Sequence, residues 1–369
     1  MQRVFRLRRV RGLGVALLVG GALVGSARGD TLAEHANRGL VELMTGNDAA
    51  SIAMAQDLAG VIDDGATRRL LPVIGRGAVE NIIDVKVLRG VDLAIVQLDA
   101  LETARETTMA HLEGSITYVA KLHNEELHIL APTDVKRLED LAGKKVEFIG
   151  GAKITAAAAL DLLHIKVEPQ FDDEGVGLAK LKGGDVAALA YVAAKPSLPS
   201  GPGEAAGLHF VPVPFNPAMA SRYVPTQLTQ DDYPDLVGGS EGVDTIAVGM
   251  VLVAANLTPK TERYQNLANF VDAFFTDLAQ LQEQTHHPKW REVNVAAELA
   301  GWRRFPPADA WLKRNVVAAA PPVDEQEMRD IFARFLDERA KAAGGQTLTA
   351  EQKGQLFDQF QRWQHSKPH

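Results

Sequence analysis

Cysteine is absent from all 369 residues. That excludes a disulfide scaffold, a cysteine nucleophile and any zinc site built on thiolates, and it leaves the redox compartment open, because a large core needs no disulfides. Aromatic residues make up only 6% of the chain, and no stretch reaches the roughly 20 apolar residues of a membrane-spanning helix. Acids are missing from the first eleven positions, which carry Arg3, Arg6, Arg8, Arg9 and Arg11. What is present is globular in proportion. The chain is 46% hydrophobic and 23% charged, with 32 Gly and 18 Pro, which excludes collagen-like, coiled-coil and wholly disordered chains. The length suits two domains or one large one.

The basic start runs into an apolar stretch from Gly12 to Val24 and then the small residues Gly25, Ser26 and Ala27. A basic segment, a short apolar segment and a small-residue cleavage site are the pattern of a secretory signal peptide over residues 1–27, cut near Ala27, so a periplasmic location is expected. Losing those five arginines takes the formal net charge from −8 to −13. So acidic a body repels phosphate backbones, which disfavours nucleic-acid binding, and stable membrane insertion of the mature chain is not expected.

The mature chain alternates strand-like and helix-like patterns. Leu40–Met44, Arg69–Ile74 and Val91–Val96 read as strands. Thr45-Gly46-Asn47-Asp48 suits a turn and a helix N-cap, and the apolar spacing of Ser51–Ile62 predicts a helix. Ile116–Ala131 reads as extended, Thr133-Asp134 predicts the cap of a short helix ending near Gly143, and Lys144–Ile149 and Thr155–Leu163 predict a strand and a helix. A second series follows through Lys166–Phe171, Val186–Ala190 and His209–Val213. Thr245–Ala254 suits a strand crossing back between lobes, and Thr258-Pro259 predicts the start of a long helix. Alternation of this kind implies βαβ units and a mostly parallel sheet, with ligands beyond the carboxyl ends of the strands, where Thr45, Asn47, Arg76, Gln97 and Asp99 fall. After about residue 320 two amphipathic stripes predict helices, the second following a capping box from Thr349 to Gln352.

Several motif matches fail on context. Gly238-Gly-Ser240-Glu-Gly242 has the spacing of a nucleophile elbow but lacks the strand before it and the helix after it, and reads as a glycine-rich loop. His123 and His128 stand five apart, whereas zinc helices need four, so polar residues at an edge or hinge are the default reading. His286-His287 reads as a helix-end pair, and Asp172-Asp173-Glu174 as a solvated helix start. Gly75-Arg76-Gly77 meets Glu80 where a dinucleotide fingerprint needs its third glycine. No catalytic constellation assembles, and no cofactor or metal is implied. Trp290, Trp302 and Trp311 read as packing aromatics in preference to a ligand cage.

Longer segments resemble a known family. Leu71-Pro-Val-Ile-Gly-Arg-Gly-Ala78, Arg89-Gly-Val-Asp-Leu-Ala-Ile-Val-Gln97-Leu-Asp99, Tyr118 through His128, Leu138 through Val146, and Trp290-Arg-Glu-Val-Asn294 with Gly301-Trp302-Arg-Arg-Phe305 resemble the TAXI solute-binding proteins of tripartite (TRAP) transporters. The resemblance runs over about residues 38–315 and departs from the family pattern at three loops, where Ile52, Ala78 and Ala152 stand in place of an aromatic residue and two hydroxyls. It implies an α/β, two-lobe type II periplasmic-binding fold, here with a C-terminal helical extension. The lobes are then 28–130 with a return over 247–320, and 131–246, with a tail over 321–369. The implied function is capture of a small organic anion (an amino acid, dicarboxylate or keto acid) for a membrane permease, without enzymatic chemistry. Thr45, Gly46, Asn47, Ser51, Arg76, Gln97 and Asp99 would line one wall and Lys153, Thr155 and Lys195 the other. Hydroxyls and amides would donate to a carboxylate, Asp99 would accept from an amine, and a lysine would balance charge. The alternative is an envelope sensor or scaffold that keeps the fold and contacts a protein partner through the tail helices.

Overall fold

A computed structural model describes residues 37–109, 111–197, 206–238, 241–315, 349 and 351–354. The expected signal peptide, Ser240 and the two amphipathic stripes of the tail lie outside them.

Strand β1 (Leu40–Thr45) runs into a turn at Asp48, whose carboxylate accepts the Ser51 N–H at 2.7 Å and so caps helix α1 (Ala49–Ile62). The residues that α1 buries, Met54, Ala55, Leu58 and Ile62 among them, are the apolar stripe of the sequence. Strand β2 (Arg69–Ile74), α2 (Ala78–Val87), β3 (Val91–Gln97) and α3 (Leu98–Thr103) continue the βα pattern. β4 (Ile116–Pro132) follows, then β5 (Lys145–Ile149), α4 (Ala152–Leu162), β6 (Glu168–Gln170), α5 (Glu174–Gly183) and β7 (Ala188–Ala193). The short β8 (Leu208–Phe210) and β9 (Tyr223–Leu228) precede β10 (Val243–Ala255), α6 (Glu262–Thr276) and α7 (Pro306–Asn315).

The strands lie in the order β2-β1-β3-β10-β4-β7-β5-β6, with β8 added to β4 and β9 to β10. β1, β2 and β3 pair in parallel, as do β7, β5 and β6. β10 is antiparallel to β3 and to β4. β4, 17 residues long, extends roughly 55 Å at the usual strand rise and so belongs to both halves of the sheet. This is a two-lobe α/β fold. One lobe is built on β1–β3 and the second on β5–β7, and the long strands β4 and β10 run through both.

Each lobe has its own core on both sheet faces. In the first lobe Leu43, Met54, Ile95, Leu252, Phe274 and Trp290 pack on one face, and Ile82, Ala94, Val96, Val251 and Val253 on the other. In the second lobe Phe148, Ala156, Leu160 and Ile246 oppose Leu130, Leu181, Leu189 and Phe210. The tryptophans are packing residues as expected. Trp290 is wholly buried, Trp302 donates to Glu102 at 2.8 Å, and Trp311 meets Phe275 edge-on at 5.3 Å.

Three expectations change. The long helix begins at Glu262 and not after Thr258-Pro259, because Lys260 sits at φ 72° and Thr261, bonded back to the Thr258 carbonyl, takes over as cap. Thr133-Asp134 caps no α-helix. Only a 3-10 turn forms at Leu138–Leu141, and Asp140 occupies the preceding N–H groups of Lys136 and Arg137. His123 and His128 are deeply buried on β4, the strand shared by both lobes, so of the edge and hinge positions expected for them the edge is excluded. His286 instead pairs with Asp57 at 3.2 Å, and His287 caps the 3-10 turn Pro288–Glu292. The capping box holds: Thr349 and Gln352 bond reciprocally.

Asp57 also accepts the Trp290 indole N–H at 3.1 Å and the His287 N–H at 2.7 Å. Asp57→Ala leaves a buried indole donor without a partner and should cost about 2–3 kcal/mol in denaturant unfolding, with Asp57→Asn costing less. His128, stacked on Tyr191 at 4.5 Å and 2.6 Å from the Tyr233 hydroxyl, is pushed down to about 3 by burial. An unfolded chain protonates this group near pH 6.5, so between that pH and about 3 acid favours unfolding. In His128→Phe the slope of stability against pH over this window should flatten by about 1.4 kcal/mol per pH unit, read from unfolding at a series of pH values. An unchanged slope would mean the imidazole titrates freely in the folded protein.

Candidate functional site

Strand directions decide where chemistry gathers. β4 is parallel to β3 and antiparallel to β7, so the carboxyl ends of β1, β3, β5 and β7 all face the middle of β4, around residues 121–126. Ligands of open α/β sheets sit at such ends.

Here the two lobes touch through polar groups. Asp99, fully buried at the start of α3, accepts the Thr155 hydroxyl at 2.6 Å and the Tyr223 hydroxyl at 2.9 Å, both from the second lobe. Burial raises the Asp99 carboxyl, and the two hydroxyl donors oppose that rise. Burial and the adjacent carboxylate raise the Tyr223 hydroxyl, so it stays protonated as the donor. Gln97 lies against Gly151, where an added Cβ would stand 2.0 Å from the Gln97 amide nitrogen. A side chain fits there only if the Gln97 amide moves aside. Farther out, Arg222 pairs with Glu106 at 2.9 Å.

Behind this contact, β4 carries a buried ionisable run. Glu125 meets His123 at 3.4 Å. Burial, with the charges of Asp48 and Glu126, holds Glu125 well above the ordinary carboxylate range, and burial lowers His123 to about 4. Glu126 pairs with Lys289 at 3.0 Å and accepts the Lys195 N–H at 3.0 Å. The sequence places Lys195 in the site but not His123, Glu125, Glu126 or Lys289. The available signal was a polar stretch, His123-Asn-Glu-Glu126, inside an otherwise apolar 17-residue strand that its length forces through the interior.

Of the expected wall residues, Thr45, Ser51, Gln97, Asp99 and Thr155 are buried at the strand ends, and Gly46 adjoins the Asp48 carboxylate and the Ser51 hydroxyl. Asn47 is exposed. The expected cations are directed elsewhere. Arg76 is 76% exposed and pairs with Asp84 at 3.7 Å. Lys153 is exposed, its amine 5.7 Å from the centre of the Phe171 ring. Lys195 is tied to the Gln227 carbonyl at 2.7 Å and to Asp232 at 3.1 Å. Neither lysine supplies the expected charge balance. Among the described residues no group of three His, Asp or Glu side chains is placed to hold a metal ion, and no helix is long and apolar enough to cross a membrane.

No family model and no curated protein matches the chain. Solved structures that superpose on it include the P235GK mutant of ArgBP from T. maritima, at 15% identity over 70% of this chain and 98% of that one, with a TM-score of 0.41. The GluR0 ligand-binding core from Nostoc punctiforme in complex with (L)-glutamate superposes at 17% identity over 68% of this chain and 98% of that one, with a TM-score of 0.41. The periplasmic aliphatic sulphonate binding protein SsuA from Escherichia coli does so at 14% identity over 89% and 94%, with a TM-score of 0.36.

Proposed function

We propose that this protein is a solute-binding receptor that captures a small organic molecule between its lobes and releases it to a membrane permease. The observation that carries the reading is the Asp99 contact: a buried carboxylate of one lobe held by two hydroxyls of the other, at the ends of the strands and beside the strands that join the lobes. Such bonds can form only when the lobes are together, so the geometry suits capture by closure. The resemblance to TAXI proteins supports a periplasmic receptor that serves a TRAP-type permease, with amino acids, dicarboxylates and keto acids as the ligand class and no catalysis. Thermal unfolding of the chain from Arg28 against that panel tests this. A ligand at about 100 times its dissociation constant should stabilise the protein by about 2.7 kcal/mol.

A second reading, an envelope sensor or scaffold, is favoured by one observation: the closed contact is made by the protein's own side chains. A panel without effect on folded protein, together with loss of a partner on deleting the residues after 320, would establish it.

Closure itself has a direct test. Gly151→Ala places a methyl group inside the Gln97 amide and should hold the lobes apart, enlarging the radius of gyration in solution scattering and weakening any solute by at least tenfold. Adding Gln97→Ala should restore the compact profile. A Gly151→Ala protein as compact as the parent would mean that the Gln97 amide swings aside and that Gly151 does not control closure.

A further inference from the structure

The cleft's unsatisfied polar atoms and its charges point the same way. Among the described residues, Thr45 Oγ1, Ser51 Oγ, Gln97 Oε1 and Asp99 Oδ1 are buried without a hydrogen-bond partner. Two of these are hydroxyls that can donate or accept. The Gln97 oxygen and an ionised Asp99 oxygen can only accept. Buried acceptors of this kind are costly unless a donor reaches them.

The ionisable groups around them are acids. Asp48 is the N-cap of α1, Asp99 stands at the first turn of α3, and Glu125 lies on β4, close enough that Asp48 and Asp99 both act on the Glu125 carboxyl. Among the described residues, three of the cations nearby are engaged, Lys289 by Glu126 and Glu292, Lys195 by Asp232 and Arg222 by Glu106, while Lys153 is exposed with its amine toward the Phe171 ring. Lys121 lies along Gly249, on the strand face of Val251 and Val253, whereas Thr45 and Gln97 continue the face of Leu43 and Ile95.

Resting on the receptor reading, we propose that the solute carries a protonated amine, received by Asp99, Glu125 and the Gln97 oxygen, with the Thr45 and Ser51 hydroxyls left to orient the rest of the molecule. An ammonium group supplies the donors that the orphaned acceptors lack and the positive charge that the cleft lacks. It would also hold the buried acids in their ionised form. Within the expected ligand class this selects amine-bearing solutes over dicarboxylates and keto acids, which bring further acceptors and no donor to the orphaned oxygens.

Matched pairs differing only at the amine give the test, by calorimetric titration of the chain from Arg28: L-alanine against L-lactate, and L-norleucine against 2-hydroxyhexanoate, with L-lysine, 1,4-diaminobutane and succinate alongside. The amine-bearing member should bind at least tenfold more tightly, and Glu125→Gln should lose that preference while unfolding at the parent's temperature or above. Equal or tighter binding of the hydroxy acids or succinate overturns the amine assignment and leaves the receptor standing, as does an unchanged preference in Glu125→Gln. No binding of any probe removes both readings.

Discussion

The antiparallel ladder between β4 and β10 is the constraint on which the rest of the molecule depends. It is the one seam shared by both lobes, and its register places Asn124 opposite Gly249 and Glu125 opposite Val248 at the level of the strand ends. Because β3 and β7 flank it with their carboxyl ends toward that level, the loops that follow β1, β3, β5 and β7 open toward the same place. A polar residue in the middle of such a ladder is buried whatever its chemistry, since both neighbours are strands. Glu125, Glu126 and His123 are therefore held at high energetic cost unless other groups compensate. Lys289 compensates Glu126 directly. Glu125 meets the imidazole of His123, which burial keeps neutral, at 3.4 Å.

Much of this was legible in the sequence, and for local reasons. The strands of the first lobe are short apolar runs closed by glycine, and Asp48 sits three residues before the N–H it caps. Trp290 and Trp302 are large apolar groups in a chain with few aromatics, so the core claims them. The errors were local too. Thr258-Pro259 has the right residues for a helix start, but the left-handed Lys260 defers it to Thr261. Thr133-Asp134 precedes a run that closes only one 3-10 turn, because a better acceptor, Asp140, sits farther on.

The site was legible only by half. Thr45, Ser51, Gln97, Asp99 and Thr155 each follow a strand, so the topological rule finds them. Tyr223 could not be found that way: it opens a strand, and it reaches Asp99 from 124 residues away. Nor could periodicity say which lysines face the cleft, since a flexible amine goes to whichever carbonyl or carboxylate is nearest, and Lys195 found Gln227 and Asp232.

The two hydroxyls on Asp99 also bear on how fast such a receptor can work. In the closed arrangement Asp99 is wholly buried and already bonded, so a solute can enter only while the lobes are apart. Each hydrogen bond to a carboxylate contributes on the order of 1.5–3 kcal/mol. Two of them bias the unliganded molecule toward the shut form, and the apparent affinity falls by the fraction that is open. Capture is then gated by a spontaneous opening step, so at high solute concentration the association rate levels off at a value set by the protein alone.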